Sequence, residues 1–457
     1  MKPTMAIKVG MVSLGCPKNQ MDAELMLAAL QDAGMEITAE SGLADVVIVN
    51  TCGFIEDAKQ ESIENILEFA ELKKEGRIKK IIVTGCMAQR YQQQVADQLP
   101  ECDAVLGLGA NHEIADVVRA VAEGDTLCRF PDLSCWKLDG KRLQSTPSFF
   151  AYLRVGDGCN NRCTYCAIPL IRGPLQSRSM ETVLAEAKEL VDNGVKELVL
   201  VAQDTTLYGT DRAGEGQLPE LLEELCKLQG LHWIRLLYCY PEHITDRLLT
   251  VMASQPKVAK YMDIPIQHAS GKVLKLMHRP GDRDSLETLI THIRETVPGI
   301  TLRTTVMTGF PGEGEAEFEE LCEFIKKMKF ERLGCFAFSP EEGTPAVNLP
   351  NPVPEEEKHR RRDIVMELQT RISDRYNADQ IGKTVEVLVE SYDRYAECWF
   401  GRTEADAPDI DGKVFFPWPT DENGKKLPIA PGEIRRVEIT DCMDWDLMGE
   451  CVDESAE

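Results

Sequence analysis

Nowhere do the 457 residues contain an apolar run approaching the ~20 needed to cross a bilayer as a helix. The opening MKPTMAIKVG lacks the apolar core of a secretory signal. These two absences predict a cytoplasmic protein with no membrane association. Basic residues are short: 51 Lys+Arg stand against 76 Asp+Glu, a net charge of −25. Phosphate backbones are bound by clustered cations, so a broad nucleic-acid surface is excluded and a basic partner is favoured. Low-complexity tracts are missing, and no repeat is present beyond an alternation of strand and helix patterns. With 43% hydrophobic and 28% charged residues the chain is an ordinary folded protein, and wholesale disorder is excluded. Its length allows roughly two to four domains, each with its own core.

What is present in excess is cysteine, 16 in all. A cytoplasmic chain keeps its thiols reduced, so these are packing residues, metal ligands or reactive thiols rather than disulfides.

Segment 1–125 has Val- and Ile-rich runs at 8–13, 45–50 and 80–84, with helical patterns at 21–34, 58–73 and 112–123. Continuous apolar runs alternating with helices predict a doubly wound parallel sheet. Residues 126–148 have no periodicity and read as a connector. Segment 149–376 carries six strand patterns, at 152–156, 197–202, 233–238, 261–265, 302–308 and 332–338. Helical patterns follow most of them, at 180–192, 218–228, 245–254, 285–295 and 315–327. Six such units predict a partial (β/α) barrel with its chemistry at the carboxyl ends of the strands. A Pro-rich stretch at 349–354 and a charged helix at 355–376 leave it. Segment 377–457 has short strand patterns at 384–389, 397–400, 413–416 and 434–439, which predict a small antiparallel β-barrel. Residues 378–457 hold 8 basic and 20 acidic residues, so nearly half of the charge excess lies there.

Two groups of cysteines stand out. Cys159, Cys163 and Cys166, in GDGCNNRCTYCAIP, follow the first barrel strand. Three thiolates so close in sequence suit one metal centre, and three is one short of a closed zinc or iron–sulfur site, which leaves an open coordination position. A zinc knuckle with a distant fourth ligand is the competing reading. Cys16, Cys52 and Cys86 each follow a strand of the first domain, 36 and 34 residues apart. Equivalent strand ends lie side by side in a parallel sheet, so the three converge where open α/β sheets bind ligands. This reads as a second iron–sulfur site with an open iron, against the alternative of three unrelated small residues in turns. The other ten cysteines (102, 128, 135, 226, 239, 322, 335, 398, 442 and 451) read as buried small hydrophobes.

The CxxxCxxC motif, with Tyr165 before its last cysteine, resembles the radical S-adenosylmethionine superfamily. That resemblance implies a 4Fe–4S cluster on Cys159, Cys163 and Cys166 whose open iron binds S-adenosylmethionine, the source of a hydrogen-abstracting radical. The three-cysteine N-terminal domain, the barrel and a C-terminal TRAM-like domain together resemble the methylthiotransferases over essentially the whole chain. The resemblance implies a second 4Fe–4S cluster on Cys16, Cys52 and Cys86 that carries the sulfur to be transferred. It also implies S-adenosylmethionine as both methyl donor and radical source, and a flavodoxin- or ferredoxin-type electron donor.

Several stretches are similar to the RimO-type branch, which modifies the β-carbon of an aspartate in the small-subunit ribosomal protein numbered twelve. They are LGCPKNQMDAE, CTYCAIPLIRGPLQSR, AQDTTLYG, YMDIPIQHAS, RTTVMTGFPGE, FSPEEGTPA and GRTEADAPDIDGKVF. The branch's Val-Asp-Ser-Glu reads Met21-Asp22-Ala23-Glu24 here, which removes the serine and leaves the cysteine. An RNA-binding barrel offers a basic groove with aromatics, whereas this C-terminal segment is acidic and suits a basic ribosomal protein. Gln203, Asp204, Arg303, Gly309 and Gly312 are candidates to contact the cofactor, against the alternative of shaping loops. Asp263, Gln267, His268, Tyr238 and Tyr240 sit at strand ends nearby. The rivals are a tRNA adenosine methylthiotransferase and a non-enzymatic metal-containing scaffold for ribosomal proteins.

Overall fold

The run Val46–Thr51 is buried at every position, which is what a strand covered on both faces requires. Successive side chains point to opposite faces. Val46 and Ile48 therefore join one core with Met26, Leu30, Ile114, Val117 and Val121, while Val47 and Val49 join another with Ile66, Phe69, Ala70, Met87 and Ala88. Helices Pro17–Asp32 and Ile114–Glu123 cover the first face, and Glu56–Lys74 and Cys86–Tyr91 the second.

The structure is a computed structural model that describes residues 6–420 and 424–452. Segments 1–5 and 453–457, the outer ends of the predicted terminal domains, lie outside the described residues. Two compact units are formed, one by Met1–Thr146, Arg154–Arg178 and Ser339–Val347, the other by Pro147–Leu153, Ser179–Phe338 and Asn348–Glu457.

The first unit holds a sheet of strands β1 (Lys8–Ser13), β2 (Glu36–Thr38), β3 (Val46–Thr51), β4 (Lys80–Gly85), β5 (Ala104–Leu106) and β6 (Leu127–Arg129), in the order β2-β1-β3-β4-β5-β6. Every pair is parallel. The order reverses at β1, next to β3, and such a switch point is where doubly wound sheets open a crevice for ligands. Strands β1, β3 and β4 match the predicted runs to within a residue. The three-residue strands β2, β5 and β6 are too short to leave a periodic trace in the sequence.

In the second unit β7 (Phe150–Arg154) contributes Phe150–Leu153. After the two-residue strands β8 (Gly156–Asp157) and β9 (Gln176–Ser177) come β10 (Glu197–Val201), β11 (Trp233–Leu236), β12 (Val258–Asp263), β13 (Thr301–Thr308) and β14 (Arg332–Ala337). The sheet runs β14-β13-β12-β11-β10-β7, each strand beside its predecessor, and β10 to β14 pair in parallel. This is an open, partial barrel. Helix Met180–Asp192 is capped by Ser179, whose side chain accepts from the Thr182 N–H. A Pro at the first turn starts Leu218–Leu225.

After helix Glu355–Ala378, strands β15 (Thr384–Asp393), β16 (Cys398–Arg402), β17 (Val414–Phe416), β18 (Ile434–Met443) and β19 (Asp446–Cys451) close a small barrel around Val387, Val389, Trp399, Phe416 and Val437. Its pairs are antiparallel except β17–β19, which is parallel. Residues 403–411, inside the GRTEADAPDID stretch, enter the N-terminal end of the larger barrel. Carbonyls of Thr403 and Glu404 accept from Arg235, Asp406 pairs with Arg332, and Asp411 accepts from the Tyr261 hydroxyl at 2.7 Å.

Candidate metal centres and cofactor residues

Strand register brings the first three cysteines together. Ser13 lies opposite Asn50, Asn50 opposite Thr84, and Thr51 opposite Gly85. Cys16, Cys52 and Cys86 thus follow three aligned strand ends at the carboxyl edge of one sheet. Cys16 is the N-cap of helix Pro17–Asp32, and Cys86 opens helix Cys86–Tyr91 behind Gly85. Asn19 stitches the edge: its side-chain amide donates to the carbonyls of Leu14, Asn50 and Thr51 at 2.6, 3.2 and 3.2 Å. The Ser62 hydroxyl donates to the Cys52 carbonyl and accepts from its N–H, both at 3.0 Å.

The glycines beside these cysteines are needed for the approach. At Gly15, with φ +89°, a Cβ would stand 2.9 Å from Cys52 Sγ. At Gly53 it would stand 2.6 Å from Met87 Cα. Cys16 bears electrostatically on both Cys52 and Cys86, so the thiols share one neighbourhood. Burial pushes the Cys86 thiol up to about 12, with Arg172 opposing, and burial likewise raises Cys52. A bound metal reverses that balance, because a coordinating thiol is deprotonated outright.

Cys159, Cys163 and Cys166 lie on a loop of the same unit. Strands β8 and β9 clasp its base, with Gly156 opposite Ser177 and Asp157 opposite Gln176. Gly158, φ +74°, has no room for a side chain: a Cβ would stand 2.0 Å from the Pro174 carbonyl oxygen. The Cys159 N–H donates to Gly173 O and the Cys166 N–H to Cys163 O, at 3.1 and 3.0 Å. Cys163 is buried, its two companions half-buried. Segment Ser339–Val347, which contains most of FSPEEGTPA, ties both cysteine regions. Arg90 donates to Gly53 O at 2.9 Å and to Glu341 at 2.8 Å, and the Ala346 N–H donates to Thr164 O at 2.9 Å.

Among the described residues no three His, Cys, Asp or Glu side chains close around a single metal ion. A four-iron cluster asks for something else, one thiolate at each of several iron corners, and two convergent or clasped sets of three thiols fit that donor chemistry. None of the 16 cysteines is in a disulfide. Cys102, Cys239 and Cys335 are buried and Cys226, Cys322, Cys398, Cys442 and Cys451 half-buried, but Cys128 and Cys135 are exposed. Those two lie on β6 and the short turn after it, at the outer edge of the sheet, so they are not the packing residues expected.

The other candidates belong to the second unit: Gln203 and Asp204 follow β10, Tyr238 and Tyr240 follow β11, Gln267 and His268 follow β12, and Gly309 and Gly312 follow β13, whereas Asp263 ends β12 and Arg303 lies inside β13. Asp204 is committed locally: it accepts from the Thr206 N–H at 3.1 Å and the Thr206 hydroxyl, and lies 2.9 Å from His243 Nδ1. Half-buried Gln203 precedes it. Arg303 donates to Asp263 at 2.9 Å and lies 3.7 Å from Asp411. Gly309 and Gly312 both have positive φ, and a Cβ would stand 2.1 Å from Lys358 Cγ at the first and 2.7 Å from Leu276 Cδ1 at the second. Glu313 holds this turn, accepting from the N–H groups of Gly309 and Phe310 and from Arg361. Buried His268 accepts at Nδ1 from the Ser270 N–H, so Nε2 carries the proton and faces Glu313 at 3.7 Å. Tyr240 lies under Arg279, 4.0 Å from the ring centre. Sequence reasoning missed Asn19, Asp22, Asp157 and Arg172. The available signal was a polar or charged residue within a few positions of a cysteine motif.

Residues 8–107 match the family described as Uncharacterized protein family UPF0004, residues 153–325 the Radical SAM superfamily, and residues 381–452 the TRAM domain. The chain is 46% identical over 451 residues to a protein named Ribosomal protein uS12 methylthiotransferase RimO from Clostridioides difficile, covering 98% of this chain and 100% of that one. The protein of that name from Pelotomaculum thermopropionicum is 47% identical over 460 residues, with the same coverage. Among solved structures, the radical S-adenosylmethionine methyltransferase TsrM from Kitasatospora setae superposes with a TM-score of 0.55 at 15% identity, over 75% of this chain and 77% of that one, a likeness of fold alone. With both relatives matched along their full length, the chain belongs to the RimO family of radical S-adenosylmethionine methylthiotransferases.

Proposed function

We propose that this chain adds a methylthio group to the β-carbon of an aspartate in ribosomal protein uS12. The observation that carries the reading is end-to-end similarity to relatives bearing that name, with all six motif cysteines in one compact unit. Cys159, Cys163 and Cys166 hold one 4Fe–4S cluster and leave an iron position for S-adenosylmethionine; Cys16, Cys52 and Cys86 hold a second. Bound S-adenosylmethionine supplies both the methyl group and the capacity to abstract a hydrogen from an unactivated carbon, which no side chain can do.

The chain's own residues bind and orient. Gln203, Asp204, Gly309 and Gly312 border the cofactor from the carboxyl edge of the barrel sheet, where such folds place their chemistry, and Arg303 does so from within β13. Glu313 keeps the Gly309–Gly312 turn in shape, and its two glycines take the positive φ and the close approach of Lys358 and Leu276 that a side chain would block. Functionally the chain divides into residues 1–125, a connector at 126–148, the barrel at 149–376 and the TRAM-like domain at 377–457. The excess of acid in the last of these attracts a basic ribosomal protein and disfavours RNA, raising encounter rate more than final affinity. A flavodoxin- or ferredoxin-type protein delivers electrons. The setting is the cytoplasm, and no helix among the described residues is long and apolar enough to cross a membrane.

Mass spectrometry of uS12 and of tRNA from a strain lacking the gene tests the substrate. Loss of the methylthio group from uS12 alone is expected, and loss from tRNA alone overturns the reading.

A further inference from the structure

The proposed ligands leave one buried charge cluster of the first unit unused. Asp22, Arg154, Asp157 and Arg172 form a closed ring. Arg154 Nη1 donates to Asp22 at 2.7 Å and to Asp157 at 3.2 Å; Arg172 donates to Asp22 through Nη2 at 2.9 Å and to Asp157 through Nη1 at 2.7 Å. All four side chains are at most 1% exposed. The Trp136 ring faces both guanidinium groups, its centre 5.8 Å from Arg154 Cζ and 5.1 Å from Arg172 Cζ. A buried ionic set of this kind is weak as a stabilising device, because apolar residues of the same volume commonly do as well or better. Stability alone therefore does not account for it.

The ring has a direction. Arg172 Nη2 lies 3.4 Å from Cys86 Sγ and 3.5 Å from Asn19 Oδ1, the residue that stitches the three strand ends. On its other side Asp157 Oδ1 accepts from the Gly158 N–H at 2.8 Å, directly before Cys159. Only the planar fork of an arginine can hold two carboxylates and a sulfur in one fixed arrangement.

We propose that Arg172 is a positioning residue for the N-terminal thiolate site, presenting a fixed N–H to the Cys86 sulfur and a compensating positive charge to the bound cluster. The proposal rests on the reading of Cys16, Cys52 and Cys86 as cluster ligands. Partners beyond the ligands orient them, and hydrogen bonds to cluster sulfurs help set the reduction potential. A donor and a cation beside Cys86 favour the reduced, more negative state.

The test uses the full chain with Cys159, Cys163 and Cys166 all replaced by Ala, so that any reconstituted cluster sits on the N-terminal trio. Iron content, the reduction potential followed by electron paramagnetic resonance, and the unfolding temperature are read. Arg172→Met combined with Asp157→Asn removes one charge of each sign and leaves Arg154 and Asp22 balanced. It is expected to shift the potential to more negative values, while Asp157→Asn alone shifts it little and Arg172→Lys restores part of the loss. Loss of iron at an unchanged unfolding temperature also supports positioning. An unchanged potential at equal iron overturns the proposal, as does loss of iron accompanied by a lowered unfolding temperature, which marks a purely structural ring. If the starting chain with Arg172 intact takes up no iron, the cluster reading itself fails, and the proposal fails with it.

Discussion

Arg402 on β16 donates through Nη2 to Glu197 Oε2 at 2.7 Å, although 205 positions separate them in the chain. Glu197 opens β10 and receives Arg235 Nε as well, at 2.6 Å. All three side chains are buried. Burial disfavours the Glu197 carboxylate, but the two guanidinium groups outweigh it and hold its pKa below the usual range. The TRAM-like barrel is thus anchored to the base of the larger one, and its 403–411 stretch continues the contact through Asp406 and Asp411. Removing one partner strands the others. Glu197→Gln should lower stability by about 3–5 kcal/mol, the cost of an uncompensated buried charge, read from denaturant unfolding at pH 7.

Gly15 is a sharper test of the N-terminal trio than a cysteine replacement, because Gly15→Ala leaves every thiol in place. Its φ of +89° and the 2.9 Å approach of a Cβ to Cys52 Sγ leave no room for the methyl group. Reconstituted Gly15→Ala should fall from about eight iron per chain to about four, the content of one 4Fe–4S cluster. Retention of the full iron content would show that the trio tolerates the displacement.

Replacing Cys163 with Ala should have the complementary effect. It removes the buried thiol of the clasped loop. Reductive cleavage of S-adenosylmethionine should be abolished while the iron on the N-terminal trio remains, as measured by 5′-deoxyadenosine formation and iron analysis. Product formed by this variant would show the assignment of the two trios to be wrong.

The convergence of Cys16, Cys52 and Cys86 was legible because parallel strands of equal phase end at one edge, so spacings of 36 and 34 residues translate directly into proximity. The strands that carry them were legible from continuous apolar runs. What was not legible is chiefly long-range polar structure. Arg172 and Asp22 lie 150 positions apart and neither breaks a hydrophobic period, so nothing local marks their ion pair. The stretch GRTEADAPDID was conspicuous as a motif, but its insertion against Tyr261 and Arg332 depends on the packing of β-barrels far apart in sequence. Strand β19 was missed because Asp446–Cys451 contains Gly449 and alternates weakly.

Asp103 predicts a pH dependence. Burial works against its carboxylate, yet Lys73 at 2.5 Å, the Ile81 N–H at 2.9 Å and Lys80 at 2.9 Å together lower its pKa. A group depressed in the folded state stabilises the fold above its unfolded value, about 3.9 for Asp, and that contribution is lost as pH falls through the lower folded value. Urea unfolding between pH 7 and pH 3 should show stability falling below about pH 4, with a smaller acid dependence in Asp103→Asn.

The substrate is decided by incubating the anaerobically reconstituted chain with S-adenosylmethionine, a sulfur source, a low-potential reductant and purified uS12, then sequencing the peptides by mass spectrometry. One aspartate of uS12 is expected to gain a sulfur, a carbon and two hydrogens, the replacement of a β-hydrogen by a methylthio group. An unmodified uS12 alongside methylthiolated adenosine in tRNA offered to the same preparation would make tRNA the substrate instead.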